Sequence, residues 1–280
     1  MSDRPSSEEW EERLAKIREA LGHWRERVKF PDNVAPGSSL SADDQVHPEM
    51  PCSQLAWWGL TVGVEHLDGC VALVDHQLEH DRPILPAATF TVLRGALIGS
   101  SQAALLLCTR KREQRINYGL RIAREEYLQA LYFRGATAGH PAVSEMEGIV
   151  TPDSDFLDWP QEGIERVETL LKARGVSRSN LKLKDTDLIK EAAKVVHSGE
   201  DAALLQLATE MEWRLGSGSA HGRLLMNMHR PQGHSRGDEG RVAFFGTAKD
   251  MVVQQMATAW FLLNEAWRMW ELRTTSSASN

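Results

Sequence analysis

Near the N-terminus, apolar residues recur in steps of four and three: Trp10, Leu14, Ile17, Leu21, Trp24 and Val28. This is the seam of a helix, opened by a capping box formed by Ser6 and Glu9. A seam under three heptads long cannot sustain a coiled coil, so it is expected on the protein's own bundle or on a partner. Residues 31–53 hold four prolines and no apolar period, and read as a linker. A second helix is predicted from about Gln54 to His80, with Leu60, Val64, Leu67, Val71, Val74 and Leu78 in step. One position along, Glu65, Asp68, Asp75 and Glu79 form an acidic flank.

A turn at Asp81-Arg82-Pro83 precedes a third helix, from Pro86 to about Thr109, whose single charge is Arg94. Its charge-free run, Gly95 to Thr109, falls short of the roughly 20 residues that cross a bilayer, so a buried central helix and no membrane partner are expected. Gly95, Gly99 and Ala103 make a small-residue stripe where a neighbouring helix backbone can come close. A basic helix from Arg110 to about Arg134 keeps Ile116, Leu120, Ala123, Tyr127 and Leu131 in period. Residues 135–160 read as a loop, and shorter helices are predicted at about 161–174, 183–197 and 200–214.

The run Gly216-Ser217-Gly218-Ser219 is read as a break, with a new helix near Ala220 and a polar loop over 230–246. Thr247 then caps a last helix to Arg273, with Val252, Met256, Ala259, Leu263, Ala266 and Trp270 in period. Trp260 and Trp267 widen its apolar face. The chain shows no alternating strand, no GxGxxG, no Walker A motif and no internal repeat. The expected fold class is all-α, a helical bundle with an N-terminal heptad helix and a long linker. Its divisions are 1–30 (amphipathic helix), 31–53 (linker), 54–273 (bundle) and 274–280 (disordered tail).

Composition narrows the class without naming a function. The 280 residues are 42% apolar and 25% charged, which excludes a disordered, collagen-like or disulfide-scaffold chain. Three scattered cysteines, Cys52, Cys70 and Cys108, suit free thiols in a reducing compartment. The charged N-terminus lacks the apolar core of a secretory signal, so a cytoplasmic location is expected. A net charge of −7 argues against a dedicated duplex-DNA binder. Yet residues 110–124 carry net +5 and residues 214–241 net +3, either an anion site or two solvated faces.

The sharpest constellation is Trp213-Arg214-Leu215-Gly216-Ser217-Gly218-Ser219-Ala220-His221-Gly222. With Arg214 ending one helix and His221 in the first turn of the next, free amides and positive helix-end charge would favour a phosphate. Ser217, Gly218 and Ser219, with Arg223 beyond, are the candidate phosphate-binding residues. The same helix end would disfavour imidazolium at His221, leaving it able to accept a proton. Arg214 could hold two phosphate oxygens at once.

An arginine, six residues and a histidine at a helix break in an all-helical chain resembles the signature of the HEPN superfamily. The stretches from His66 to Tyr127 and from Trp213 to Leu225 also resemble uncharacterised helical proteins of high-GC bacteria. Such proteins carry phrases similar to Thr89-Phe90-Thr91-Val92-Leu93-Arg94 and to Gly218-Ser219-Ala220-His221-Gly222. The resemblance implies metal-independent RNA cleavage in bacterial defence or a toxin–antitoxin pair, by a homodimer without a cofactor. His221 would help take the ribose 2′-hydroxyl proton, and Arg214 would stabilise the pentacoordinate phosphate. The residue after the arginine, polar in many members, is Leu215 here.

Arg94 needs a partner if buried, and Asp75 is the expected one, the two supporting a polar pocket shared with His221. His76-Gln77-Leu78-Glu79-His80 matches an inverted zincin pattern, but the α/β domain of such enzymes has no counterpart here and no metal is expected. Trp10, Trp24, Trp58, Trp260, Trp267 and Trp270 are assigned to packing, while Trp57 and Trp213 flank the proposed sites. Two alternatives stand beside the RNA-cleaving enzyme. One is a non-catalytic interaction protein binding a partner through residues 6–30. The other is a bundle holding a small molecule near Arg94 and His221.

Overall fold

The computed structural model describes residues 7–137, 155–223, 225–226, 234–236, 242–244 and 249–276. Nine α-helices stand among these residues: α1 (Ser7–Arg27), α2 (Ser39–Asp44), α3 (Cys52–Glu79), α4 (Pro86–Cys108), α5 (Arg112–Thr137), α6 (Asp155–Ala173), α7 (Asp185–Val196), α8 (Ala202–Ala220) and α9 (Lys249–Thr274). A short antiparallel hairpin, β1 (His234–Arg236) with β2 (Val242–Phe244), interrupts the expected 230–246 loop. The all-α bundle is the fold. The expected cap Thr247 lies outside the described residues, as does most of the 274–280 tail.

The central helix is α4, against which α3, α7, α8 and α9 all pack. It is long and apolar enough to span a membrane by composition, but 72% of its most apolar window is buried inside the protein. The small-residue stripe works as expected. A Cβ built on Gly99 would fall 2.4 Å from the backbone nitrogen of Gly63, and one on Gly59 would fall 2.8 Å from that of Ala103. Main chain therefore meets main chain along the α3–α4 crossing. Gly95 instead makes room for the ring of His66.

The seam of α1 is occupied by the bundle itself: Trp10, Leu14, Ile17, Leu21 and Trp24 are all buried in the core. The acidic flank of α3 explains its orientation. Arg18 binds Asp75 at 2.5 Å and Arg25 binds Asp68 at 3.3 Å, two clasps seven residues apart on antiparallel helices. Trp24, Trp57, Trp267 and Trp270 then cluster where α1, α3 and α9 converge, with the centroids of contacting rings 4.9–6.5 Å apart. Trp57 is thus a packing residue, whereas Trp58, assigned from sequence to core or interface packing, is exposed.

Three local expectations are corrected. The 31–53 segment is not a bare linker: it contains α2, capped by the Ser38 hydroxyl, and buries Leu40, Asp43 and His47. Helix α6 starts at Asp155, ahead of the expected 161, and carries Pro160 inside it. Helix α8 runs without interruption through Gly216-Ser217-Gly218-Ser219 to Ala220.

Candidate functional site

The continuity of α8 changes the chemistry expected at its end. His221 is the C-cap of that helix, its backbone N–H donating to the carbonyls of Ser217 and Ser219. Orphan carbonyls and partial negative charge gather at such an end, the reverse of the anion-favouring terminus expected from sequence. Ser219 donates its hydroxyl back to the Leu215 carbonyl at 3.2 Å, and Gly218 packs against Met226, so neither is arranged as a phosphate loop. Ser217 is half-buried on the same helix, and Arg223 is exposed beyond Gly222, which takes a positive φ of 61°.

Arg214 is exposed and donates through Nε and Nη2 to Glu210 Oε1 at 2.9 and 2.6 Å. Lys190 also reaches that carboxylate, at 3.1 Å, and together these cations hold Glu210 below the usual carboxylate range. His221 lies seven positions after Arg214, so they share one helix face about two turns, or roughly 10.5 Å, apart. The structure brings them to the same exposed stripe without joining them.

Arg94 does not meet Asp75. Its Nη2 binds Asp185 Oδ2 at 3.2 Å, its guanidinium lies 4.7 Å from the ring centroid of Trp213, and Asp75 is taken by Arg18. Trp213 donates its Nε1 to Thr186 Oγ1 at 3.2 Å, so the ring is buried in a three-helix joint among α4, α7 and α8 and is closed to base stacking. Gly216 sits in the same joint, where a Cβ would meet the Phe90 carbonyl at 3.2 Å. Arg94 therefore fastens α8 to the core, roughly 100° around the helix from the Arg214–His221 stripe. The tilted rings of His76 and His80 lie 4.3 Å apart, and among the described residues no cluster has the make-up of a metal site.

Two features were missed from sequence. The first is a buried ionic joint: Asp43 accepts from Arg115 Nε at 2.5 Å and Arg112 Nε at 3.0 Å. Arg115 and Arg273 also donate to the Thr109 carbonyl, tying α2, α5 and α9 to the C-terminal end of α4. Beside it, His47 Nε2 lies 3.0 Å from the Tyr127 hydroxyl, and burial lowers the His47 pKa and raises that of Cys52. This joint, with Arg121 on the Lys182 carbonyl and Arg124 on Glu168, consumes much of the basic 110–124 segment internally.

The second is the outer face of α8. Leu204, Leu207 and Met211 stand 66%, 54% and 54% exposed at positions i, i+3 and i+7. The opposite face, with Thr209 and Trp213, is buried. An amphipathic helix of a monomer normally turns the apolar stripe inward, so α8 carries a second apolar face outward. The period was readable in the sequence, but the buried face used the same residues' neighbours and masked it.

Comparison with protein-family models, with curated proteins and with solved structures returned no match for this chain.

Proposed function

We propose that this chain is a non-catalytic helical interaction protein that assembles through the outer face of α8, with a second copy of itself as partner. The observation that carries this reading is the Leu204–Leu207–Met211 stripe, exposed on a helix whose other side is locked into the core. The stripe is self-complementary when two α8 helices run antiparallel about a two-fold axis near Leu207 and Ala208. Leu204 then faces the partner's Met211, and Arg214 faces the partner's Asp201. Asp201 is the exposed N-cap of α8, and its side chain makes no capping bond. The patch is small beside the roughly 800 Å² per partner of a stable interface, so the dimer is weak and concentration-dependent.

The test is sedimentation velocity over a range of protein concentrations, with Met211→Asp alongside. Dimer that grows with concentration and is lost in Met211→Asp supports the reading. Reversing one charge, Asp201→Arg or Arg214→Asp, weakens it, and combining both restores it. A chain that stays monomeric throughout, or a dimer indifferent to Met211→Asp, overturns the proposal.

A ribonuclease of the HEPN kind is the second reading, supported by Arg214 and His221 sharing one exposed face of α8, with Arg223 exposed beyond it. In the antiparallel dimer the two His221 residues stand about 40 Å apart along the paired helices, so the enzyme would have to work within one chain. Cleavage of tRNA or single-stranded RNA in excess EDTA, lost in a folded His221→Ala variant, establishes this reading. Intact RNA at micromolar protein rejects it.

A further inference from the structure

A cleft of about 570 Å³ opens between α5, the connection from α6 to α7, and α7. That volume falls within the range of small-molecule sites. Its walls are oppositely charged: Arg121 on α5 and Arg174 just beyond α6 supply cations, while Asp187 and Glu191, one turn apart on α7, supply carboxylates. Tyr118 links the two sides. Its hydroxyl donates to Glu191 Oε2 at 3.2 Å, and the Arg121 guanidinium lies 6.0 Å from its ring centroid.

The arginines are placed by the fold. Arg121 Nη2 donates to the Lys182 carbonyl at 2.7 Å, and Arg174 pairs with Glu113 at the rim. Asn117 Oδ1 and Arg121 Nε, one turn apart on α5, are buried with no hydrogen-bond partner among the described residues. Buried polar atoms are nearly always satisfied in native proteins, by protein, water or a bound molecule. Here two unsatisfied groups fall together beside one cleft.

The charges of the walls select the ligand. A simple anion held by the arginines would face the carboxylates of Asp187 and Glu191, and a simple cation would face the arginines. A net-neutral molecule with separated charges satisfies both sides, and its polar atoms compete well for charge-assisted hydrogen bonds. We propose that this cleft binds a small zwitterion of amino-acid or dipeptide size, with its carboxylate toward Arg121 and Arg174 and its ammonium toward Asp187 and Glu191.

The test is calorimetric titration of the full chain with free L-amino acids and glycyl dipeptides, each beside its N-acetylated form, and with inorganic phosphate. At least one free zwitterion is expected to bind, with affinity about tenfold lower after acetylation. Arg121→Gln and Asp187→Asn should each weaken that binding by a similar factor, about tenfold. Asp187 is exposed, so its variant keeps the test valid if Arg121→Gln fails to fold. The proposal is overturned if no zwitterion binds, if acetylated forms bind equally, if Asp187→Asn leaves affinity unchanged, or if phosphate binds more tightly than any zwitterion.

Discussion

The contact between α3 and α4 makes one substitution change sign with position. At Gly99 an added Cβ would sit 2.4 Å from the Gly63 nitrogen and 2.8 Å from the Gly59 carbonyl oxygen, whereas ordinary contact begins at 3.4 Å. Both obstacles are main chain, so relief requires α3 to retreat by about 1 Å. A retreat of that size forfeits about half of the close contacts made across the seam. Leu55 and Cys70 on α3 and Leu106 on α4 share the faces that hold Gly59, Gly63 and Gly99, and all are buried. With about 1.5–3 kcal/mol for each buried side chain, the loss is roughly 2–4 kcal/mol. Alanine returns about 1 kcal/mol of helix propensity, leaving Gly99→Ala destabilised by roughly 1–3 kcal/mol.

Gly22→Ala on α1 is the control, because nothing lies within 4 Å of its Cβ position. Only the propensity gain applies there, about 0.5–1 kcal/mol of stabilisation. For a chain of this size about 2 °C of Tm accompanies each kcal/mol, so Gly99→Ala should melt about 2–6 °C lower and Gly22→Ala about 1–2 °C higher. Urea unfolding at fixed temperature gives the same comparison through its midpoint, provided the slope is unchanged. If Gly99→Ala is as stable as the parent, or gains like Gly22→Ala, the backbone contact between α3 and α4 is not as described.

Two further outcomes follow from the buried polar groups. Asp43→Ala leaves the Arg115 guanidinium buried without its carboxylate, and should cost about 3–5 kcal/mol in urea unfolding; a loss below about 1 kcal/mol would refute the ionic joint. His47 and His197 both have pKa values lowered by burial, so their neutral forms are favoured in the folded protein. Their contribution is complete above the unfolded value near 6.5 and is lost as pH falls through the lowered folded values. Unfolding midpoints should therefore drop between about pH 7.5 and about pH 5.5, less steeply in His197→Gln, and an unchanged slope in that variant would exclude its role.

Periodicity carried most of the fold because it is a local property. The seams of α1, α3, α5 and α9 could be read directly, and the glycine stripe of α4 even named the face of closest approach. The Gly216–Ser219 run failed for a physical reason. Two glycines cost a helix about 1 kcal/mol each against alanine, which invites a break, but tertiary packing supplies most helix stability. Here the glycines are what packing requires: Gly216 lets α8 lie against Phe90 and Arg94, and Gly218 admits Met226. Removing the break moved His221 from the start of one helix to the end of another and reversed the sign of the field around it.

Arg94 shows how far register errors propagate. The turn at 81–85 does make α3 and α4 antiparallel, but the pairing is set by Gly63 against Gly99 and His66 against Gly95. That register places Arg94 level with Leu67, and Asp75 about two turns further toward the connecting turn. Asp68 is near the right level but on the flank that faces α1, where Arg25 holds it. Arg94 points instead to the side that α7 and α8 cover, and the first turn of α7 brings Asp185 to it. Burial demanded a carboxylate, as the sequence implied. Which one arrives depends on long-range packing, and a helix 91 residues downstream supplied it.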